Sequence, residues 1–317
     1  TIPPEMIPVM VNHIIVQGRE KKFTFLMAAD KSISNLIPLY LRIAIIQAIT
    51  SARLAGEQNS ISLEANIRLS DGQTVTMKDF FSSRQVFGFF ASGMDAANAG
   101  DLVASALGAL MVNDFEAPKI RDIEIHTVES AGQNYARIQS VWQDKTEIAP
   151  GDSLQLFIRL QTASGQTFRV EQQLKIPGNI EGNSLSVIVS SAPTLTLYEM
   201  RTSPDRFRPA SFDHLLTILR ERRTNNNIYL QTRIQDSGLI IEGEELPELP
   251  PSIMGVMDSR RSSGVSQRLQ DRVLTEVNIP TQYQIIGAKS LRIRIKQPTR
   301  AIVPAQEKGR QSTQFTF

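Results

Sequence analysis

The constraint that does most to fix the fold is the strict alternation in "ISLEANIRLSDGQTVTMKDF". Ile61, Leu63, Ala65, Ile67 and Leu69 recur at a spacing of two, with Ser62, Glu64, Asn66 and Arg68 between them. Successive strand side chains point to opposite faces, so such a run buries one face of a sheet and wets the other. Asp71-Gly72 supplies the positive φ of a tight hairpin turn, and a second strand returns from it.

The same period recurs so densely further on that it predicts a sandwich. "DIEIHTV", "YARIQSVWQ", "DSLQLFIRLQT" and "TFRVEQQLKIP" alternate in turn, with Pro150-Gly151-Asp152 and Ser164-Gly165 as turn signals between them. Residues 118–193 are therefore expected to form an immunoglobulin-like β-sandwich, one without a disulfide because the chain has no cysteine. Trp142, the single tryptophan, is expected to pack in its core.

Residues 1–117 read as an α+β domain. "IPVMVNHIIV" and "KKFTFLMA", joined by "QGRE", form a strand pair, and a helix follows from a cap at Ser34 or Asn35, with Pro38 in its first turn, to about Ala55. "DAANAGDLVASALGALMVNDF" supplies a second helix. Residues 194–297 form a mixed C-terminal domain, in which Ser211 caps a short amphipathic helix carrying Leu215, Leu216, Ile218 and Leu219. "NIYLQTRIQ", "RVLTEVNIP", "YQIIG" and "SLRIRIK" are its strands, and residues 298–317 are an irregular tail or docking arm. The fold class that results is α+β, mainly β, and multidomain, with the sandwich at its centre.

Composition narrows the function classes. With 34 basic and 32 acidic residues the net charge is +2, too small a field to point to nucleic acid. The absence of cysteine removes thiolate metal sites and cysteine nucleophiles. The longest apolar run, "NLIPLYLRIAIIQAI", is shorter than the roughly 20 residues a bilayer requires and reads as a buried helix, so no transmembrane segment is expected.

Candidate chemistry is sparse. His13, His126 and His214 lie far apart with no metal-ligand spacing and read as structural or surface histidines. No nucleophile elbow and no phosphate-binding glycine loop occurs, so neither a cofactor nor a metal is expected. "SGM" at Ser92 to Met94 reads as a helix-entry turn, not a nucleophile loop. "RERR", Arg220 to Arg223, places cations at a helix C-terminus, where they complement the dipole; a phosphate or nucleic-acid contact is the sharper alternative.

The pair Glu244 and Glu245 invites general acid/base chemistry, but adjacent residues of an extended chain point opposite ways. Pro247, Pro250 and Pro251 restrict the backbone to extended conformations, leaving Leu246, Leu249, Ile253 and Met254 as anchors. These nine residues read as a rigid interaction strap.

The third block carries a resemblance. "NNNIYLQ", "GEELPELPPSIMGVM" and "IPTQY" are similar to the C-terminal, non-catalytic region of bacterial proteins with a SpoIVB-type serine peptidase domain. "NDFEAPKIRDIEI" and "VWQDKTEIAPGDSLQLFIRL" resemble the region linking peptidase and tail. The "GMSGSP"-like nucleophile loop of that family does not occur here, so no catalytic residue is carried over. The resemblance implies an extracytoplasmic location and association with a peptidase domain of the same precursor.

The function expected from these readings is that of a non-catalytic structural or protein-binding module of the bacterial cell envelope, working with a protein partner or by self-assembly. Two alternatives stand beside it: the substrate-positioning portion of a secreted serine protease, and a carbohydrate or small-ligand binding module.

Overall fold

The computed structural model describes residues 6–15, 18–29, 35–51, 53, 58–84, 93–178, 180, 184–241, 244–246 and 266–296. Among them strands predominate, in three sheets, with the helices α1 (Ile37–Thr50), α2 (Met94–Met111), α3 (Ala192–Thr202) and α4 (Phe212–Arg220). The chain is α+β and mainly β.

The first sheet contains β1 (Met6–Ile14), β2 (Glu20–Ala28), β3 (Asn59–Leu69), β4 (Thr74–Ser82) and β5 (Ile120–Ala131), in the order β2-β1-β5-β3-β4. β1 and β5 run parallel and the other pairs antiparallel. The alternation at Ile61 to Leu69 does what its period demands, burying the odd-numbered residues of β3 against the helices. Gly72 turns the β3–β4 hairpin with φ at 93°. α1 and α2 cover one face, where Gly100 allows a close approach: a Cβ there would stand 3.2 Å from the Arg42 carbonyl oxygen.

α1 differs in detail from the sequence expectation. It starts with Leu36 at its N-cap and no side-chain capping bond, although Pro38 does occupy the first turn. It buries Ile37, Leu41, Ile45, Ala48 and Ile49 but leaves Leu39, Tyr40 and Ile43 exposed, because a helix apolar all round has more faces than one sheet can cover.

Two further sheets share a second core. One is built from β6 (Tyr135–Gln143), β8 (Ser153–Thr162), β9 (Thr167–Lys175) and β14 (Gln284–Ile286), in the order β14-β6-β8-β9. The other runs β12-β11-β10-β15-β7, from β7 (Glu147–Ile148), β10 (Ser184–Ser190), β11 (Asn227–Ile241), β12 (Glu244–Leu246) and β15 (Ala288–Ile295), with β13 (Ser266–Pro280) paired to β11. Leu156, Ile158 and Leu160 of the first pack in one cluster with Val187, Leu230 and Ile293 of the second.

The sheets cut across the sequence blocks. β5, read as the opening strand of the second block, pairs instead with β1 and β3. α4, read as part of the third block, inserts Phe212, Leu215, Leu216 and Leu219 into the core of the first sheet. α3 and β10 lie in "SLSVIVSSAPTLTLYEMRT", a stretch for which the sequence reading named no element.

Trp142 is a correction. Alternation from Ala136 and Ile138 would point it inward, but a bulge between Ile138 and Ser140 shifts the parity, so Val141 packs on the core and Trp142 turns to the outer face. There it is half-buried, stacked on Phe157 at 5.7 Å between centroids, with the Arg159 guanidinium 5.5 Å from its ring centre.

Of the expected strap, Glu244 to Leu246 form β12, paired antiparallel with Ile241 to Leu239 of β11. Pro247, Leu249, Pro250, Pro251, Ile253 and Met254 lie outside the described residues. Among the described residues no helix is long and apolar enough to cross a membrane.

Candidate functional site

Among the described residues β4 is an edge strand, and its free side is only partly covered. Leu69 N–H donates to the Gln73 carbonyl at 2.8 Å and Ser83 N–H to the Asn59 carbonyl at 3.0 Å, and the register between them is unbroken. Odd-numbered residues of β4 therefore face β3, and the main-chain groups of Thr74, Thr76, Lys78, Phe80 and Ser82 face away from it.

Both ends of this edge are occupied. The Thr74 carbonyl accepts from Arg220 Nε at 3.0 Å, Phe80 N–H donates to Asp79 Oδ1 at 2.7 Å, and Ser82 N–H donates to Gln284 Oε1 at 2.8 Å. Between them, the main-chain groups of Thr76 and Lys78 have no partner among the described residues.

A cleft of about 250 Å3 opens at this gap. Thr76, Met77, Lys78 and Asp79 form one wall, Leu102 of α2 and Leu219 of α4 contribute apolar surface, and Arg220, Arg222, Arg223 and Thr224 form the other wall. The "RERR" segment, read as a cationic helix end, thus continues past α4 alongside β4 and returns to it at Asn225.

The charges divide sharply between engaged and free. Arg223 binds Glu199 through both terminal nitrogens, at 2.6 and 3.0 Å, and Glu276 through Nε and Nη2, at 2.9 and 2.7 Å. Arg220 is held on Thr74 and Gln73. Lys78 pairs with Glu64 at 3.1 Å. Arg222 is exposed and makes no hydrogen bond or ion pair among the described residues; Asp79 is its electrostatic neighbour, beyond contact distance.

Asp79 fastens the two parts of the structure together. Its carboxylate accepts from Asn225 N–H at 2.7 Å and from Asn225 Nδ2 at 3.1 Å. Burial pushes the carboxyl up to about 6, against the main-chain donors and Arg222, which favour its charged form. A folded-state value above the ordinary 3.8 means that the folded chain holds the proton more tightly, so this group's contribution to stability is largest at low pH and declines as pH rises through 6. Relative to Asp79→Asn, the parent chain is expected to gain about 1 kcal/mol in urea unfolding between about pH 7.5 and pH 5; a flat difference would contradict the assignment.

A second polar cluster closes the far end of the first sheet. Asp95, at the start of α2, takes a bidentate pair from Arg53 at 3.1 and 2.6 Å, and the Arg53 Nε bonds Glu129 of β5. Asn59 Nδ2 donates to the same Glu129 oxygen at 3.0 Å, His13 Nδ1 meets Thr127 Oγ1 at 2.9 Å, and His13 Nε2 lies 3.7 Å from Glu129. Burial by itself would raise the Glu129 pKa; His13, Arg53 and Asn59 outweigh it and hold the carboxyl below its ordinary value. The cluster joins four elements, and both His13 and the Thr127 hydroxyl that it meets are fully buried, out of reach of a substrate from solvent, which fits a structural role for that histidine.

The remaining histidines are separate from both sites. His126 bonds Glu124 at 3.0 Å on the outer face of β5, and His214 Nδ1 accepts from Ala210 N–H at 3.1 Å beside the Ser211 cap. Among the described residues no group of three or more His, Asp or Glu side chains is placed to hold a metal. Gly93 caps α2 with φ at 92°, while Ser92 lies outside the described residues.

Among the described residues the opposite edge of the first sheet is also open. Ile15 N–H donates to the Arg19 carbonyl at 3.0 Å, and this parity turns the main chain of Glu20, Lys22, Thr24 and Leu26 of β2 outward. On the face away from the helices, Met6, Met10 and Ile14 of β1, Leu26 of β2 and Val128 of β5 are exposed. Neither this edge nor Asp79 was singled out from the sequence, because strand order is not encoded in alternation. Comparison of the chain with protein-family models, with curated proteins and with solved structures returned no match.

Proposed function

We propose that the chain is a non-catalytic protein-binding module of the bacterial cell envelope, taking its partner by strand addition along β2. The observation that carries this reading is the β2 edge, unpaired among the described residues, with exposed Met6, Met10, Ile14, Leu26 and Val128 beside it. An unpaired strand edge flanked by apolar surface is a template for another chain's strand. The paired sheets of the second core fit a sandwich of immunoglobulin-like type in a multidomain chain. The envelope location rests on the resemblance of "GEELPELPPSIMGVM" and its flanks to the region downstream of SpoIVB-type peptidase domains.

A photo-reactive residue at Leu26 in the native host is expected to capture an envelope protein. Thr24→Pro, which removes one outward N–H at an edge that tolerates proline, is expected to abolish that capture with the melting temperature unchanged. Capture that persists in Thr24→Pro, or that is confined to cytoplasmic proteins, would overturn the reading. A product joined to a peptidase domain of the same precursor would select the accessory-protease alternative.

The carbohydrate alternative has a specific place to act, the Trp142–Phe157 stack. Arg159 and Arg169 already lie over these two rings, at 5.5 and 5.2 Å, so a sugar would have to displace a guanidinium to stack there.

A further inference from the structure

The cleft at β4 lies on the opposite edge of the first sheet from β2, so what it binds is independent of the proposal above. We infer that this cleft recognises the C-terminal end of an extended peptide, whose main chain pairs with Thr76 and Lys78 and whose terminal carboxylate meets Arg222.

Three observations converge on that ligand. Thr76 and Lys78 offer two consecutive outward-facing residues of strand edge inside a cleft, bounded by Arg220 on one side and by Asp79 and Gln284 on the other. A bounded gap of this kind matches a short extended segment and excludes a long added strand. The volume, about 250 Å3, lies below the roughly 300–1,000 Å3 of sites for drug-sized ligands, which again selects a short segment.

The charges then select a free C-terminus. Arg222 is a guanidinium without an ion pair among the described residues, and its planar fork suits a carboxylate. Asp79, lining the same cleft, would repel a second carboxylate. Its Oδ2 accepts from Asn225 Nδ2 and retains capacity for one more donor, which a peptide N–H can supply, while the Arg222 guanidinium takes the terminal carboxylate. Met77, Leu102 and Leu219 offer a small apolar patch for one side chain. A simple inorganic anion would use Arg222 but leave the strand edge unpaired.

The test is a tripeptide library with free C-termini, titrated into the nitrogen-15-labelled full chain beside the same library as C-terminal amides. The acids are expected to shift the Thr76 and Lys78 amides in saturable fashion, and the amidated library to bind about ten-fold more weakly. Arg222→Ala changes an exposed side chain and is expected to lose a similar factor, with Arg222→Lys losing less. Thr76→Pro, which also loses the exposed bond from Thr76 Oγ1 to Asn66 Oδ1, is expected to lose binding with only a small fall in melting temperature.

Equal binding of acids and amides, unchanged binding by Arg222→Ala, or no saturable shift at Thr76 and Lys78 would each overturn the inference. Phosphate shifting Arg222 while no peptide shifts the strand edge would also overturn it, leaving an anion contact only. None of these outcomes bears on capture at Leu26.

Discussion

Replacing Arg53 by methionine is expected to destabilise the chain by about 3–5 kcal/mol, because it leaves buried carboxylates without their cation. Asp95 is fully buried and the Glu129 side chain is 2% exposed, so water cannot take over the work of the guanidinium. Both acids would then face each other across the space it vacates. Arg53→Lys keeps the charge but loses the fork that spans Asp95 and Glu129, and should fall between parent and methionine variant.

The pH dependence distinguishes this mechanism from lost packing. Glu129 titrates below its ordinary value in the folded chain, so its contribution is present above the carboxylate range and lost as pH falls through its folded-state value. The gap between parent and Arg53→Met is therefore expected to narrow on acidification in urea unfolding. A gap that is constant with pH, or smaller than about 1 kcal/mol near neutrality, would remove the electrostatic account.

Glu199→Leu is expected to cost a similar amount, about 3–5 kcal/mol. Glu199, 2% exposed on α3, accepts from Arg223, from Gln231 Nε2 at 2.6 Å and from Arg233 Nη2 at 3.4 Å. Arg223 retains Glu276 when Glu199 is lost, but among the described residues Arg233, also 2% exposed, keeps only the Gln231 amide and the Tyr198 ring. The penalty is thus mostly that of a stranded Arg233. The double variant Glu199→Leu/Arg233→Leu should recover much of it, since removing both charges leaves nothing buried and unpaired. Equal losses in the single and double variants would show that packing of α3 dominates.

Both networks were invisible in the sequence for one reason. Arg53 and Glu129 are 76 positions apart, and Glu199 and Arg233 are 34 apart, so neither pair has a local spacing to betray it. The strap at Glu244 to Met254, by contrast, stood out because prolines and paired glutamates are local signals. Its described part, Glu244 to Leu246, became a short strand on β11. Arg222 was legible as one cation among the "RERR" group, but its lack of an ion pair among the described residues emerged only when Arg220 and Arg223 had found their acceptors elsewhere.

What the sequence determined by itself was local: the faces of β3, the Gly72 turn, the presence of α2 and α4, whose segments ran two to four residues past the observed ends, and the Ser211 cap, whose side chain accepts from His214 N–H at 3.1 Å. Each depends on periodicity, or on a residue's own conformational preference, within a few positions. The tertiary structure decided which strands are neighbours, and with them the free edges. β5 joined β1 and β3, α4 joined the first core, and a bulge at the middle of β6 turned Trp142 outward. Strand order and parity depend on long-range burial, where many pairings satisfy the same alternation and only the packing of whole faces selects one.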